Sequence, residues 1–358
     1  MAIQLSQDES KCITLLKGLS ILLVIFIHAD FRKYLPSSTN TELFDLWMQI
    51  ITRILVENAV PIFFFLSGFL FFLKKDTFKN KLKSRFRTLF IPYIFWTLWG
   101  FFIPFFLQII LDLEHYFTDT KLKYISDFTI IDYLRMFWDI RDGAPILSTL
   151  WFLRDLIVMV LLTPLIFHLI RLLKQWFILF IGIIYLFYPF YSSGMSSTGL
   201  FFFTLGAYFS IVPSYNIFQR INNSLSFSKS IIIWILSFIS VILCYIFNFQ
   251  YDLVMNLFII PNSIMLYIFV YRITKRRKLQ WLFKISIASF FIYAFHEPFM
   301  GYMIGIFFKI IKIDSNFIIY ILPFFFVLIT ILFSYMAYFI LNKICPQFLK
   351  IITGSRSK

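Results

Sequence analysis

The sequence predicts an all-α, polytopic helical integral membrane protein with about ten transmembrane helices and both termini cytoplasmic. Three observations carry this prediction. First, the 358-residue chain is 60% hydrophobic and 14% charged, with a mean hydropathy of +0.83, too little polar surface for a soluble protein of its size. Second, apolar stretches of membrane-spanning length recur from Ile13 to the C-terminus. They are continuous, whereas a β-barrel needs short alternating segments. Third, the basic residues are segregated. With the N-terminus inside, the cytoplasmic segments hold 23 Lys and Arg against 3 acidic residues, and the outer segments hold 8 against 12. That is the positive-inside pattern of an even number of spans. The net charge of +15 therefore belongs to the inner face and does not indicate nucleic-acid binding.

In order, the spans are read as 13–30, 47–73, 88–110, 147–170, 175–190, 197–213, 230–249, 253–272, 285–309 and 317–342. The first is too long for a removable signal peptide and no small-residue cleavage site follows it, so it is expected to stay. The second is long and contains Asn58 and Pro61, which predicts a break or a tilt. The fifth and sixth are short and separated by the polar stretch YSSGMSSTG. No internal repeat is evident, which argues against an inverted-repeat transporter. The reading is one transmembrane domain over 1–358, with an outer segment at 112–146 expected to fold over the outer mouth. Two basic cytoplasmic loops lie at 74–87 and 272–284. Such loops hold topology and touch anionic membrane lipid; they also suit a polyanionic cytosolic ligand such as the nucleotide end of a coenzyme. Cys12, Cys244 and Cys345 are far apart and form neither a disulfide framework nor a zinc motif, and no metal site is expected.

Ionisable residues inside spans are costly and mark candidate sites. Lys17 and His28 lie eleven residues apart in KGLSILLVIFIHAD. Eleven residues make about three helical turns, so both share one face, roughly 16 Å apart along the axis. Lys17 is expected near the membrane surface and His28 deep in the span. A lone lysine there commonly snorkels, but a buried imidazole needs partners for both nitrogens and suits proton removal from a hydroxyl. Arg154 and Asp155 are adjacent and point about 100° apart, so each is free to reach a different neighbour. Arg53 and Glu57 are four apart beside Asn58 and can pair on one face. His296 and Glu297 precede Pro298, which frees a carbonyl one turn earlier. His28, Glu57, Arg154, Asp155, His296 and Glu297 fall at similar depth, and a shared water-accessible cavity is the economical account.

Four stretches, KGLSILLVIFIHA at 17–29, VPIFFFLSGFLF at 60–71, LWFLRDL at 150–156 and SFFIYAFHEPF at 289–299, resemble the membrane-bound acyltransferase 3 family of bacterial surface O-acyltransferases. Their order, their spacing and the ten spans match over nearly the whole chain. The resemblance implies an enzyme of the bacterial cytoplasmic membrane that moves an acyl group, by default acetyl, from cytosolic acyl-CoA to a hydroxyl of an extracytoplasmic glycan or lipid-linked sugar. It implies that Lys17, Arg85 and Arg87 contact the phosphates of the donor, although lysine lacks the two-pronged geometry of the arginine many members carry. His28 is then the general base or a transient acyl carrier. Glu57, Asp155 and Glu297 are the candidates to orient it, and Arg154 and His296 the candidates to stabilise the oxyanion. A transporter or flippase for a polar or lipid-linked solute is the competing reading.

Overall fold

The computed structural model describes residues 5–36, 41–110, 124–139, 145–192, 194–212, 216–276, 280–311, 313 and 317–354. The expected outer segment is described only in part, and its residues 112–123 and 140–144 lie outside the described residues, as do 277–279 of the second basic loop. Of the described residues 84% are helical. The helices are α1 Gln7–Ile27, α2 Glu42–Gln49, α3 Ala59–Leu73, α4 Phe78–Arg85, α5 Ile91–Phe105, α6 Ile130–Arg135, α7 Trp151–Leu161, α8 Thr163–Leu173, α9 Gln175–Phe187, α10 Ser197–Ile211, α11 Ile217–Ser224, α12 Phe227–Ile246, α13 Tyr251–Arg276, α14 Gln280–Ile310, α15 Ile318–Ile344 and α16 Pro346–Ile352.

Among the described residues six stretches are long and apolar enough to cross a membrane: 7–34, 42–73, 78–109, 227–246, 251–275 and 318–344. A seventh arises if α7 and α8 are taken together. The departures from ten spans have local causes. The expected fourth span is bent by 61° between Leu161 and Thr163, where Pro164 sits in the first turn of α8 and suits a new helix start better than a continuation. The fifth and sixth are α9 and α10, with 13 and 15 residues, short of the roughly 20 that a perpendicular crossing needs. A two-stranded hairpin joins them, Tyr191–Ser192 (β1) against Met195–Ser196 (β2), turning at Gly194 with φ +101°. The ninth, α14, has 31 residues, but its middle carries His296, Glu297 and Pro298, which lower its mean hydropathy. It nevertheless stays helical through Pro298. The segment 74–87, read as a loop, is mostly helix: α4 runs through a π-helical turn, Phe86–Phe90, into α5.

The break expected in the second span is present. A π-helical turn at Ile50–Ile54 is followed by turns over 55–58, and α3 begins at Ala59. Such single π turns are frequent at functional sites.

Two close helix contacts organise the core. At the crossing of α3 and α10, a Cβ on Gly68 would lie 2.0 Å from the Phe203 carbonyl oxygen, and one on Gly206 would lie 2.0 Å from that of Phe65. Backbones meet there, as at the small-residue contacts of membrane helices. At the crossing of α1 and α14, a Cβ on Gly18 would strike Ser286. Lys17 is thus next to the closest approach of the two helices that carry His28 and His296. The start of α1 is fixed by a capping box, Ser6 with Glu9. The buried Glu9 also accepts from Asn216 Nδ2 at 3.1 and 3.2 Å, tying α1 to the start of α11.

Candidate functional site

The structure brings together two of the candidate histidines, 268 residues apart in sequence. The rings of His28 and His296 meet edge to face with centroids 5.2 Å apart. His28 is the C-cap of α1, with its backbone N–H on the Ile25 carbonyl, and is half-buried. It therefore stands at a helix end. Lys17 is in the middle of α1, not near its start, because α1 begins at Gln7. Just beyond His28, Asp30 accepts from Arg32 Nε at 3.0 Å, Arg32 reaches Asp45 of α2, and the Tyr245 hydroxyl donates to the same Asp45. This clamp, unanticipated in the sequence, holds the chain where it leaves α1.

His296 is fully buried. Its Nδ1 is 2.5 Å from the Tyr293 carbonyl, and its Nε2 has no hydrogen-bond partner among the described residues. The carbonyl can only accept, so Nδ1 carries the proton and Nε2 keeps its lone pair in the neutral ring. Tyr293, one turn before His296, meets it with rings tilted by 40° and centroids 6.1 Å apart, and its hydroxyl donates to the Thr149 carbonyl. Tyr293 went unnoticed in the sequence; its i−3 spacing from His296 was the available signal.

Glu297 turns away from the histidines. It accepts from Ser148 Oγ at 2.5 Å and from the Thr149 backbone N–H at 3.1 Å. A carboxylate at the start of the 3₁₀ turn Ser148–Leu150, which leads into α7, satisfies an end-of-helix donor and complements the helix dipole. Its place is at the cap of α7.

Arg154 and Asp155 are both fully buried in α7 and do pair with each other, Nη2 to Oδ1 at 3.2 Å. Arg154 Nη2 also lies 3.2 Å from the Tyr191 hydroxyl, and its guanidinium sits 5.5 Å from the Trp138 ring. The hairpin thus closes over the pair. No hydrogen bond or ring contact joins this cluster to His28 among the described residues. Arg53 is exposed and Glu57 half-buried, and no ion pair joins them. Asn58 is buried with Oδ1 lacking a partner among the described residues.

A cavity of about 540 Å³ lies between α1, α3, α7 and α14. Along α1 the lining runs from Ser10 and Lys11 at one end, past Lys17 midway, to Val24 at the other; Arg85, Val60, Phe152 and Tyr293 also line it. From Ser10 to Val24 the wall of α1 rises roughly 21 Å at 1.5 Å per residue. Thr14, Ser67, Ser286 and Ser289 add hydroxyls along the way. Arg85 lines the cavity with its guanidinium 5.8 Å from the Phe71 ring, whereas Arg87 is exposed and does not line it. None of the six residues expected to share a cavity borders this one. Two of them stand just past its deep end: His28 is one turn beyond Val24 and His296 one turn beyond Tyr293, and Asn58 lies two residues before Val60.

The arrangement can do two things chemically. A cationic mouth with a long, hydroxyl-dotted throat can hold an extended anionic molecule by its charged end. The paired imidazoles at the far end can accept and donate a proton. Among the described residues no cluster of three or more His, Cys, Asp or Glu side chains is arranged to hold a metal ion.

A family model described as an acyltransferase domain, that of the acyltransferase 3 family, matches residues 10–340. No curated protein and no solved structure matches the chain.

Proposed function

The chain belongs to the acyltransferase 3 family and is a membrane acyltransferase, and from that premise we propose that it transfers a short acyl group, acetyl by default, from cytosolic acyl-CoA to a hydroxyl of an extracytoplasmic glycan or lipid-linked sugar. The bacterial cytoplasmic membrane is its proposed location, with both termini cytoplasmic. The observation that supports this best is the cavity that is lined by Lys11, Lys17 and Arg85 and ends one helical turn short of His28 and His296. In this reading the donor's phosphates meet Lys17 and Arg85, with Arg87 left to the approach, and the pantetheine arm follows the throat.

His28, half-buried at the helix end, takes the proton from the acceptor hydroxyl. The oxygen attacks the thioester carbonyl, the tetrahedral intermediate forms, and the carbon–sulfur bond breaks. The proton passes from the imidazolium to the departing thiolate, giving an O-acyl ester and free CoA thiol. His296 positions His28 through ring contact. Glu297 acts at one remove, by fixing the start of α7 against α14, and the Arg154–Asp155 pair by holding α7 against the hairpin. Glu57, without a contact to either ring, is the least supported member of the set.

The test is to incubate the purified protein with labelled acetyl-CoA and a surface-glycan acceptor pool. Label in the glycan, absent with His28→Ala, supports the reading. Solute movement across sealed vesicles without acyl donor, together with no label transfer, supports the transporter instead.

A further inference from the structure

A second cavity, about 300 Å³ in volume, lies on the opposite face of α1 and α3. It is about twice the ~150 Å³ of an apolar cavity that stays dry and takes up benzene. Leu16, Leu66, Leu205, Phe209, Ile221 and Ile264 represent its lining, drawn from α1, α3, α10, α11 and α13. Of the lining residues only Ser263 and Tyr267 carry polar side-chain atoms, and both are engaged. Ser263 Oγ donates to the Ile259 carbonyl at 2.7 Å, and the Tyr267 hydroxyl accepts from Asn222 Nδ2 at 3.0 Å. A polar ligand would lose its hydration there without replacement; only hydrocarbon fits.

The rim toward α11 is cationic. Tyr271 stacks on Tyr267 with centroids 5.9 Å apart, and Lys275 Nζ lies 4.7 Å from the Tyr271 ring. Arg220, next to the lining residue Ile221, is exposed, and Arg272 packs 4.2 Å from the Phe227 ring. No acidic residue occurs from Asn216 to Tyr251 or from Leu253 to His296. Glu9, a carboxylate on this side of α1, is already held by Ser6 and Asn216.

We propose that this cavity binds one acyl chain of an anionic phospholipid from the leaflet on the α11 side, with the headgroup phosphate at Arg220 and Lys275. In a bilayer the tail gains no transfer from water; what favours the site is dispersion contact inside a concavity and charge at its rim. The two cavities stand back to back. Lys17 and Ser67 face the first and Leu16 and Leu66 face the second, so the tail supports the wall of α1 and α3 from behind.

The experiment uses the full chain, stripped of lipid in detergent and titrated with dioleoyl phosphatidylglycerol or dioleoyl phosphatidylcholine, with bound lipid counted by native mass spectrometry. One phosphatidylglycerol per chain is expected, bound at least tenfold more tightly than phosphatidylcholine. Leu205→Trp and Ile264→Trp, which each place an indole in the cavity from different helices, should weaken binding at least tenfold while thermal unfolding shows a folded protein. The double change Arg220→Gln with Lys275→Gln should abolish the preference and leave phosphatidylcholine binding as it was. The proposal is overturned by the absence of a one-to-one lipid, by equal binding of the two lipids, or by wild-type binding in both tryptophan variants. Tighter retention of a polyprenyl phosphate than of phosphatidylglycerol overturns the phospholipid assignment.

Discussion

His28 and Lys17 share one face of α1, yet the structure gives them different company, and that difference sets what their loss should do. His28→Ala removes the proposed proton acceptor at the deep end of the cavity, so kcat for acyl transfer should fall by about 10²–10⁴-fold with donor KM little changed. Lys17→Ala and Arg85→Ala should instead raise donor KM by about tenfold. Arg87→Ala, exposed and outside the cavity lining, should change it less than twofold; steady-state kinetics over donor concentration separates these outcomes, and equal effects at Arg85 and Arg87 would count against the cavity as the donor site. Glu297→Gln removes the charge that caps α7. It should lower thermal stability in detergent by about 1 kcal/mol and reduce kcat less than His28→Ala does. Lys17, His28, Arg154, Asp155, His296 and Glu297 were all legible as residues out of place in apolar helices. Their partners were not. Which imidazole meets His28, and that Glu297 faces Ser148 and Thr149, depends on which helices adjoin, and a single sequence carries no record of that.

At the level of elements, the long apolar helices were the most legible, because burial on nearly all sides leaves a continuous signal. The break near Asn58 was legible too, from a polar residue and a proline inside one long span. The bend at Leu162 was signalled only by Thr163–Pro164, which reads equally as a tolerated proline within a span. The clamp of Asp30, Arg32, Asp45 and Tyr245 joins three segments and has no local pattern. Crossings of helices set the tightest constraint. Gly68→Ala should clash with the Phe203 carbonyl and destabilise the protein by about 1–3 kcal/mol. Gly301→Ala, with nothing within 4 Å of the added methyl group, serves as the control. Thermal unfolding of both variants in the same detergent checks this, and equal midpoints would remove the α3–α10 contact from the account.

Across the whole molecule, one bundle supports two cavities on opposite faces of the same two helices, one with a cationic, hydroxyl-dotted throat and one that is hydrocarbon throughout. The orientation proposed from charge segregation, with both termini cytoplasmic, makes a prediction. In a cysteine-free background, Lys79→Cys should be labelled by an impermeant maleimide only after the cells are opened, and Asp132→Cys in intact cells. The thioester is proposed to reach the histidine pair through the cavity between α1, α3, α7 and α14, and acetyl-CoA binding and acetyl transfer by Ser67→Trp beside His28→Ala decide whether it does. Ser67→Trp, with an indole across the throat, should neither bind donor nor transfer acetyl, while His28→Ala should bind donor as the wild type does and transfer none. Donor binding and acetyl transfer at wild-type levels in Ser67→Trp would contradict it.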